Sequence, residues 1–181
     1  MTLMRAGKSV GTRSVAAVLT GVLLLWSAAA DAREQSAAIF DFELTDTSRD
    51  NQLAPPDAEH QARLTLVTER LRAKLAWSGR FAVIDIAPVA KQARGSNLQS
   101  CGGCDVTLAQ QVGAELAVTG MVFKVSNLIL NMTIFVRDAK TGHNVAVAQA
   151  DLRGDTDESW TRTLDWLVRN RLLDPERGVP Q

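Results

Sequence analysis

LAVTGMVFKV (116–125), LILNMTIFVR (128–137) and NVAVAQADLR (144–153) read as three successive β-strands. The middle one alternates: Leu128, Leu130, Met132, Ile134 and Val136 share one face, and Ile129, Asn131, Thr133, Phe135 and Arg137 share the other. Ser126-Asn127 makes one tight connection. Asp138 to His143 makes the next, with Gly142 available for a positive φ. Two hairpins in sequence predict an antiparallel meander.

Upstream of the meander, Asp105 to Gly113 reads as a helix with Asp105 as its cap and Leu108, Ala109 and Val112 as its apolar face. Pro88 to Gly95 is a short helical segment, and Phe81 to Ile86 is a short strand. A longer helix starts at Asp57, after Pro55-Pro56, and runs to about Trp77, with Gly79 as its stop. Its buried stripe is Leu64, Val67, Leu71 and Leu75. Ser36 to Leu44 (SAAIFDFEL) reads as one unbroken buried strand with Ala38, Phe40, Phe42 and Leu44 on one face, and residues 45–56 form a loop. Downstream, Asp155 opens a last helix, Glu158 is its capping-box partner, and Trp160, Leu164, Leu167, Val168 and Leu172 face inward. The order predicts an α/β (α+β) sandwich. It has a mixed five-stranded sheet ending in the meander, helices packed on one face, and an ordered core over about 36–173.

Composition narrows the function. With 20 basic and 20 acidic residues the formal charge is zero, against a general polyanion binder. Tyr is absent and aromatic residues make 5%, too few for base-stacking platforms. Two Cys and two His do not close a four-ligand zinc site without carboxylates.

Residues 1–32 read as a signal peptide. Arg5, Lys8 and Arg13 precede a nearly continuous apolar run from Val15 to Trp26, and small residues follow, with cleavage expected after Ala32 or Ala30. The run of 12 residues is short for a membrane-spanning helix. Cleavage leaves residues 33–181 as a single secreted domain with 17 basic and 19 acidic residues, in the oxidising periplasm. No membrane span remains after cleavage.

Ala37 to Leu44, then a long helix and Ser78-Gly79-Arg80-Phe81-Ala82-Val83-Ile84-Asp85, resembles the domain shared by the curli-secretion lipoprotein CsgG and the amino-terminal domain of TolB. Gly113 to Gly120 resembles the segment that leads into their meander. Over the whole mature chain the sequence is similar to small, predicted secreted proteobacterial proteins of unknown function. The similarity is carried by Cys101-Gly102-Gly103-Cys104, Lys124 to Leu130 and Gly154 to Trp160. The resemblance implies a fold, an envelope compartment and a link to cell-envelope assembly or a periplasmic oxidation system. It supplies no catalytic residues, and fold alone does not confer function. Neither TolB's propeller repeats nor the lipid-bearing Cys of CsgG is present.

Cys101 and Cys104 form a Cys-x-x-Cys at a helix start. Three chemistries fit: a local disulfide bracing a Gly-rich loop, a thiol pair activated by the helix N-terminus, or a soft-metal site for Cu(I) helped by Met121, Met132 and His143. Met121 and Met132 also read as core filler, and His60 and His143 as solvated surface residues. Asp105 follows the motif, so covalent haem attachment is excluded. Asp41, Glu43 and Asp46 read as a solvated strand edge. Asp155, Asp157 and Glu158 read as charge at a helix N-terminus, without the spacing of a calcium loop. No nucleophile elbow, phosphate loop or zinc-protease motif occurs. The expectation is a non-catalytic periplasmic protein without a cofactor that binds another envelope or periplasmic protein through the 45–56 loop or an exposed sheet edge. The alternative is a thiol-disulfide or copper-handling protein using the cysteine pair.

Overall fold

The computed structural model describes residues 33–48 and 55–180. The expected signal segment, residues 1–32, lies outside the described residues, as do residues 49–54 of the 45–56 loop. The chain order is β1 (Gln35–Ile39), β2 (Glu43–Asp46), α1 (Ala58–Trp77), β3 (Phe81–Ile84), α2 (Ala90–Arg94), α3 (Cys104–Gln111), β4 (Leu116–Ser126), β5 (Ile129–Asp138), β6 (Asn144–Leu152) and α4 (Asp157–Leu167). A π-helical turn, Val168–Leu172, continues α4. The mixed α/β architecture and the meander are as the sequence predicts.

The sheet runs β3-β1-β4-β5-β6, with β2 also pairing β4. Its β1–β3, β1–β4 and β2–β4 pairs are parallel, and the meander β4–β5–β6 is antiparallel. The six strands thus fill five positions, because the predicted strand 36–44 is two strands. Ile39 stands opposite Val118 and Glu43 opposite Met121, so β1–β2 spends one residue more than β4 over the same distance. An inserted residue reverses which face each later side chain takes. Ala37 and Ile39 therefore share a core with Phe42 and Leu44, whereas Ala38 and Phe40 lie in the other core. The single apolar face read from the sequence does not exist.

Helix α1 satisfies the break. The Phe42 N–H donates to Thr68 Oγ1 at 2.9 Å, the Arg72 guanidinium donates to the Ile39 carbonyl at 2.8 Å, and it pairs with Asp41 at 2.9 Å. The Phe42 ring lies over Gly120, where a Cβ would collide with it. Glycine is required there by close approach rather than by backbone angle.

Both sheet faces are covered, a correction to the one-sided packing expected. Leu64, Val67, Leu71 and Leu75 of α1 and Trp160, Leu164 and Leu167 of α4 bury one face. Ala93 of α2 and Leu108 and Ala109 of α3 cover Ala38, Phe40 and Ala117 on the other. The central strands are apolar on both sides, as parallel strands between helix layers are, so each face needs cover. The second layer reaches β5 only at its C-terminal end, through Asp105 and Arg137, which leaves the hairpin end of the meander's outer face open.

The helix starts are partly as read. Asp57 caps α1, accepting the His60 N–H at 2.9 Å. Thr156, not Asp155, caps α4 by accepting the Ser159 N–H at 3.2 Å. Glu158 pairs with Arg162 instead of closing a capping box. Asp105 lies inside α3, whose cap is Gly103 at φ +104°.

Candidate functional site

The open face of the meander ends in an apolar hairpin. Ser126 and Ile129 pair across the turn Asn127-Leu128, and Ser126 Oγ accepts the Leu128 and Ile129 amides at 3.3 and 3.2 Å. Leu128 is 82% exposed and Ile129 62%, with Val125 and Phe123 also exposed. Phe123 and Val125 lie on the face away from α1 and α4, because their neighbours Val122 and Lys124 are buried on the helix side. Val147, exposed on β6 opposite Phe135, is separated from these residues by the hydrogen-bonded group Asn131, Gln149 and Asp151. An isolated exposed Leu is ordinary; four adjoining apolar side chains at one hairpin end are not.

Beneath the hairpin lies an ionic anchor. Lys124 Nζ donates to Asp155 Oδ2 at 2.6 Å and is 3.0 Å from His60 Nε2. His60 Nε2 is 2.8 Å from Asp155 Oδ2, and Nδ1 is 2.8 Å from Asp57 Oδ1. Asp155 Oδ1 accepts from Arg63 at 3.1 Å and from Trp160 Nε1 at 3.0 Å. Arg63 also pairs with Asp157 at 2.8 Å and with Glu59. Burial alone would raise the Asp155 carboxyl, but hydrogen bonds from Lys124 and His60, and their charges, hold it below the ordinary aspartate range. The cluster ties α1, β4 and the start of α4 together, and so fixes the strand from which Phe123 and Val125 project. It is buried and satisfied, which suits support rather than turnover.

His60 is thus buried, not solvated as the sequence reading had it: Asp57 and Asp155 supply partners for both ring nitrogens. Asp46 is also buried, accepting the Ser48 amide at 3.0 Å, and Glu43 is half-buried, so of the three carboxylates read as a solvated edge Asp41 alone keeps a side chain nearly half open to solvent. Lys124 and Arg63 escaped the sequence reading. Their signal was a charge placed in an apolar phase: Lys124 two residues after Val122, and Arg63 beside Leu64 and four residues before Val67.

The cysteines lie at the far end of the meander. Cys101 and Cys104 are joined in a disulfide with Cα atoms 5.7 Å apart. Cys101 is exposed, Cys104 is half-buried and opens α3, and Gly102 and Gly103 between them have φ of +72° and +104°. Asp105 is 0% exposed, and its carboxylate accepts from Arg137 at 3.1 and 3.3 Å. Glu43 Oε1 accepts the Leu98 amide at 2.8 Å, while Oε2 is buried without a hydrogen bond. Burial pushes the Glu43 carboxyl up and the Asp105 charge adds to this, only partly offset by the Leu98 and Gln99 amides. Beside the disulfide opens a polar cleft of about 660 Å³, lined by Gly102, Gly103, Arg137, Lys140 and Asn144 among others.

The remaining candidate ligands do not converge. Met132 is core filler as expected; Met121 points to the opposite face of β4–β5, and His143 is exposed in its turn. Among the described residues no group of three or more His, Cys, Asp or Glu is placed to hold a metal ion. No helix among them is long and apolar enough to cross a membrane.

The DUF3280 family, described as "Protein of unknown function (DUF2380)", matches residues 35–172. The chain belongs to this family. The match spans β1 through the π-helical turn, so it takes in the anchor, the hairpin and the cysteine loop. The wider likeness to CsgG and TolB is not shown by it. No curated protein matches. Among solved structures, the chain is similar to lipoprotein GNA1162 from Neisseria meningitidis, at 14% identity over 75% of this chain and 94% of that one, TM-score 0.48. It is similar to the LpoB C-terminal domain from Escherichia coli, at 18% over 65% and 82%, TM-score 0.46. It is also similar to PelC from Paraburkholderia phytofirmans, at 16% over 83% and 91%, TM-score 0.40.

Proposed function

We propose that the protein is a periplasmic accessory factor of the cell envelope, or of a periplasmic oxidation system, that acts by binding another protein rather than by turnover. The observation that carries this is the apolar end of the β4–β5 hairpin, Phe123, Val125, Leu128 and Ile129, standing exposed on the rigid Lys124–Asp155–His60 anchor. A hairpin held this way spends little entropy on docking, which leaves more of its apolar contact for affinity. The residues 1–32 supply the route: a basic start, an apolar run and small residues before Arg33.

The test pairs two measurements. Intact mass of the exported protein is expected to begin at Asp31 or Arg33. Leu128→Asp together with Ile129→Asp is expected to abolish recovery of a protein that co-purifies with the wild type from periplasm. The same variant should keep its unfolding free energy to within about 0.5 kcal/mol, as exposed substitutions do. An unchanged set of co-purifying proteins would contradict the proposal.

A further inference from the structure

We propose that the Cys101–Cys104 disulfide exchanges with a dithiol on an acidic polypeptide segment docked in the cleft beside it. The activity is separate from hairpin binding: β5 runs for 10 residues between the two ends, about 30 Å of extended chain.

Access comes first. Cys101 is exposed, and the two residues that separate the sulfurs are glycines with nothing within 4 Å of where a Cβ would stand. No side chain from the intervening residues shields the bond. The leaving group is next. Cys104 is the first residue of α3, whose cap Gly103 contributes no side-chain hydrogen bond. Cys104 therefore lies in a first turn whose free amides have no capping side chain, and the helix N-terminus favours a thiolate there. Asp105 in that turn would oppose a thiolate, but Arg137 pairs with its carboxylate. The charge of the cleft chooses the partner. Its charged lining residues, Arg137 and Lys140, are both basic; Arg137 is paired with Asp105, so Lys140 is the charge an acidic segment meets, and no carboxylate lines the cleft.

The exchange balances without an outside oxidant. A partner thiolate attacks Cys101 Sγ, the S–S bond breaks, and Cys104 leaves as thiolate. The partner's second thiol, after losing its proton to solvent, attacks the mixed disulfide and expels Cys101 as thiolate. The partner's dithiol is oxidised to a disulfide, and one equivalent of Cys101–Cys104 is reduced to the dithiol, each thiolate taking a proton according to its own pKa.

The probe is a reduced synthetic peptide with two cysteines flanked by Asp and Glu, mixed with the oxidised protein. The reaction is quenched by acid and read by alkylation and intact mass. One equivalent of peptide disulfide is expected, formed about tenfold faster than from the same peptide flanked by Lys, with the gap closing in high salt. Lys140→Glu should lose that preference while unfolding at the wild-type temperature. With a reduced peptide that carries a single cysteine, the acid-quenched mixed disulfide should map to Cys101 about tenfold more often than to Cys104. Equal rates for the two peptides would overturn the cleft as docking site. Adducts shared equally between Cys101 and Cys104 would overturn Cys101 as the attacked sulfur. Peptide oxidation no faster than with the double Cys→Ser variant would overturn the exchange. None of these outcomes depends on the hairpin, so Leu128 and Ile129 variants should exchange as the wild type does.

Discussion

Asp155 carries more of the structure than its position before a helix suggests. Four side chains converge on its two oxygens: Lys124, His60, Arg63 and Trp160. Its folded carboxyl lies below the ordinary aspartate value, so it contributes stability at pH above the unfolded value of about 3.9. That contribution is lost as pH falls through the lower folded value. Asp155→Asn should therefore cost about 3–5 kcal/mol at pH 7, because Lys124 and Arg63 stay buried with a partner gone. Its denaturant-melt stability should also fall less steeply than wild type below pH 4. Glu43 has the opposite sign. Burial raises its carboxyl, so the ionised form is penalised in the fold. Glu43→Gln should raise the melting temperature at pH 7, and the gain should vanish below the unfolded glutamate value of about 4.3. A loss at pH 7 would show that Oε2 has a partner. Neither effect was legible in the sequence. Lys124 and Asp155 are 31 residues apart and His60 and Asp155 are 95 apart, so no local pattern joins them. What the sequence did show was a Lys in an apolar phase, which is a question about a partner rather than an answer.

The secondary-structure elements divide by the range of the forces that make them. The stripes Leu64-Val67-Leu71-Leu75 and Trp160-Leu164-Leu167 are local periodicities, and both are buried as read. The meander was legible too, since each of its hairpins closes over a few residues. The break between β1 and β2 was not. Ala38, Phe40, Phe42 and Leu44 alternate in sequence as if the strand were continuous, and only pairing with β4 reveals the extra residue. Thr68 then becomes structural, since its hydroxyl accepts the Phe42 amide and donates to the Leu64 carbonyl at 2.7 Å. Thr68→Val keeps the shape but leaves that buried amide unpaired. The expected cost is about 1–3 kcal/mol in chemical denaturation, where a change within error would contradict this role for the hydroxyl.

At the scale of the molecule, the meander joins two unlike ends. One end is apolar and braced by buried charge; the other is polar, basic and closed by a disulfide. Binding is assigned to the first and thiol chemistry to the second. The cysteine pair was legible as a motif, and its neighbours were not: Arg137, Lys140 and Glu43 reach it only through the sheet. The hairpin end is the surface proposed to meet another protein. It is tested most directly by placing a photo-crosslinking side chain at position 128 of the full chain in the native host, with position 77 as a control. Trp77 is just as open to solvent but lies at the C-terminal end of α1. A discrete protein adduct is expected from position 128 that disappears with Ile129→Asp, and none from position 77. No adduct at 128, or the same adducts from both positions, would contradict it.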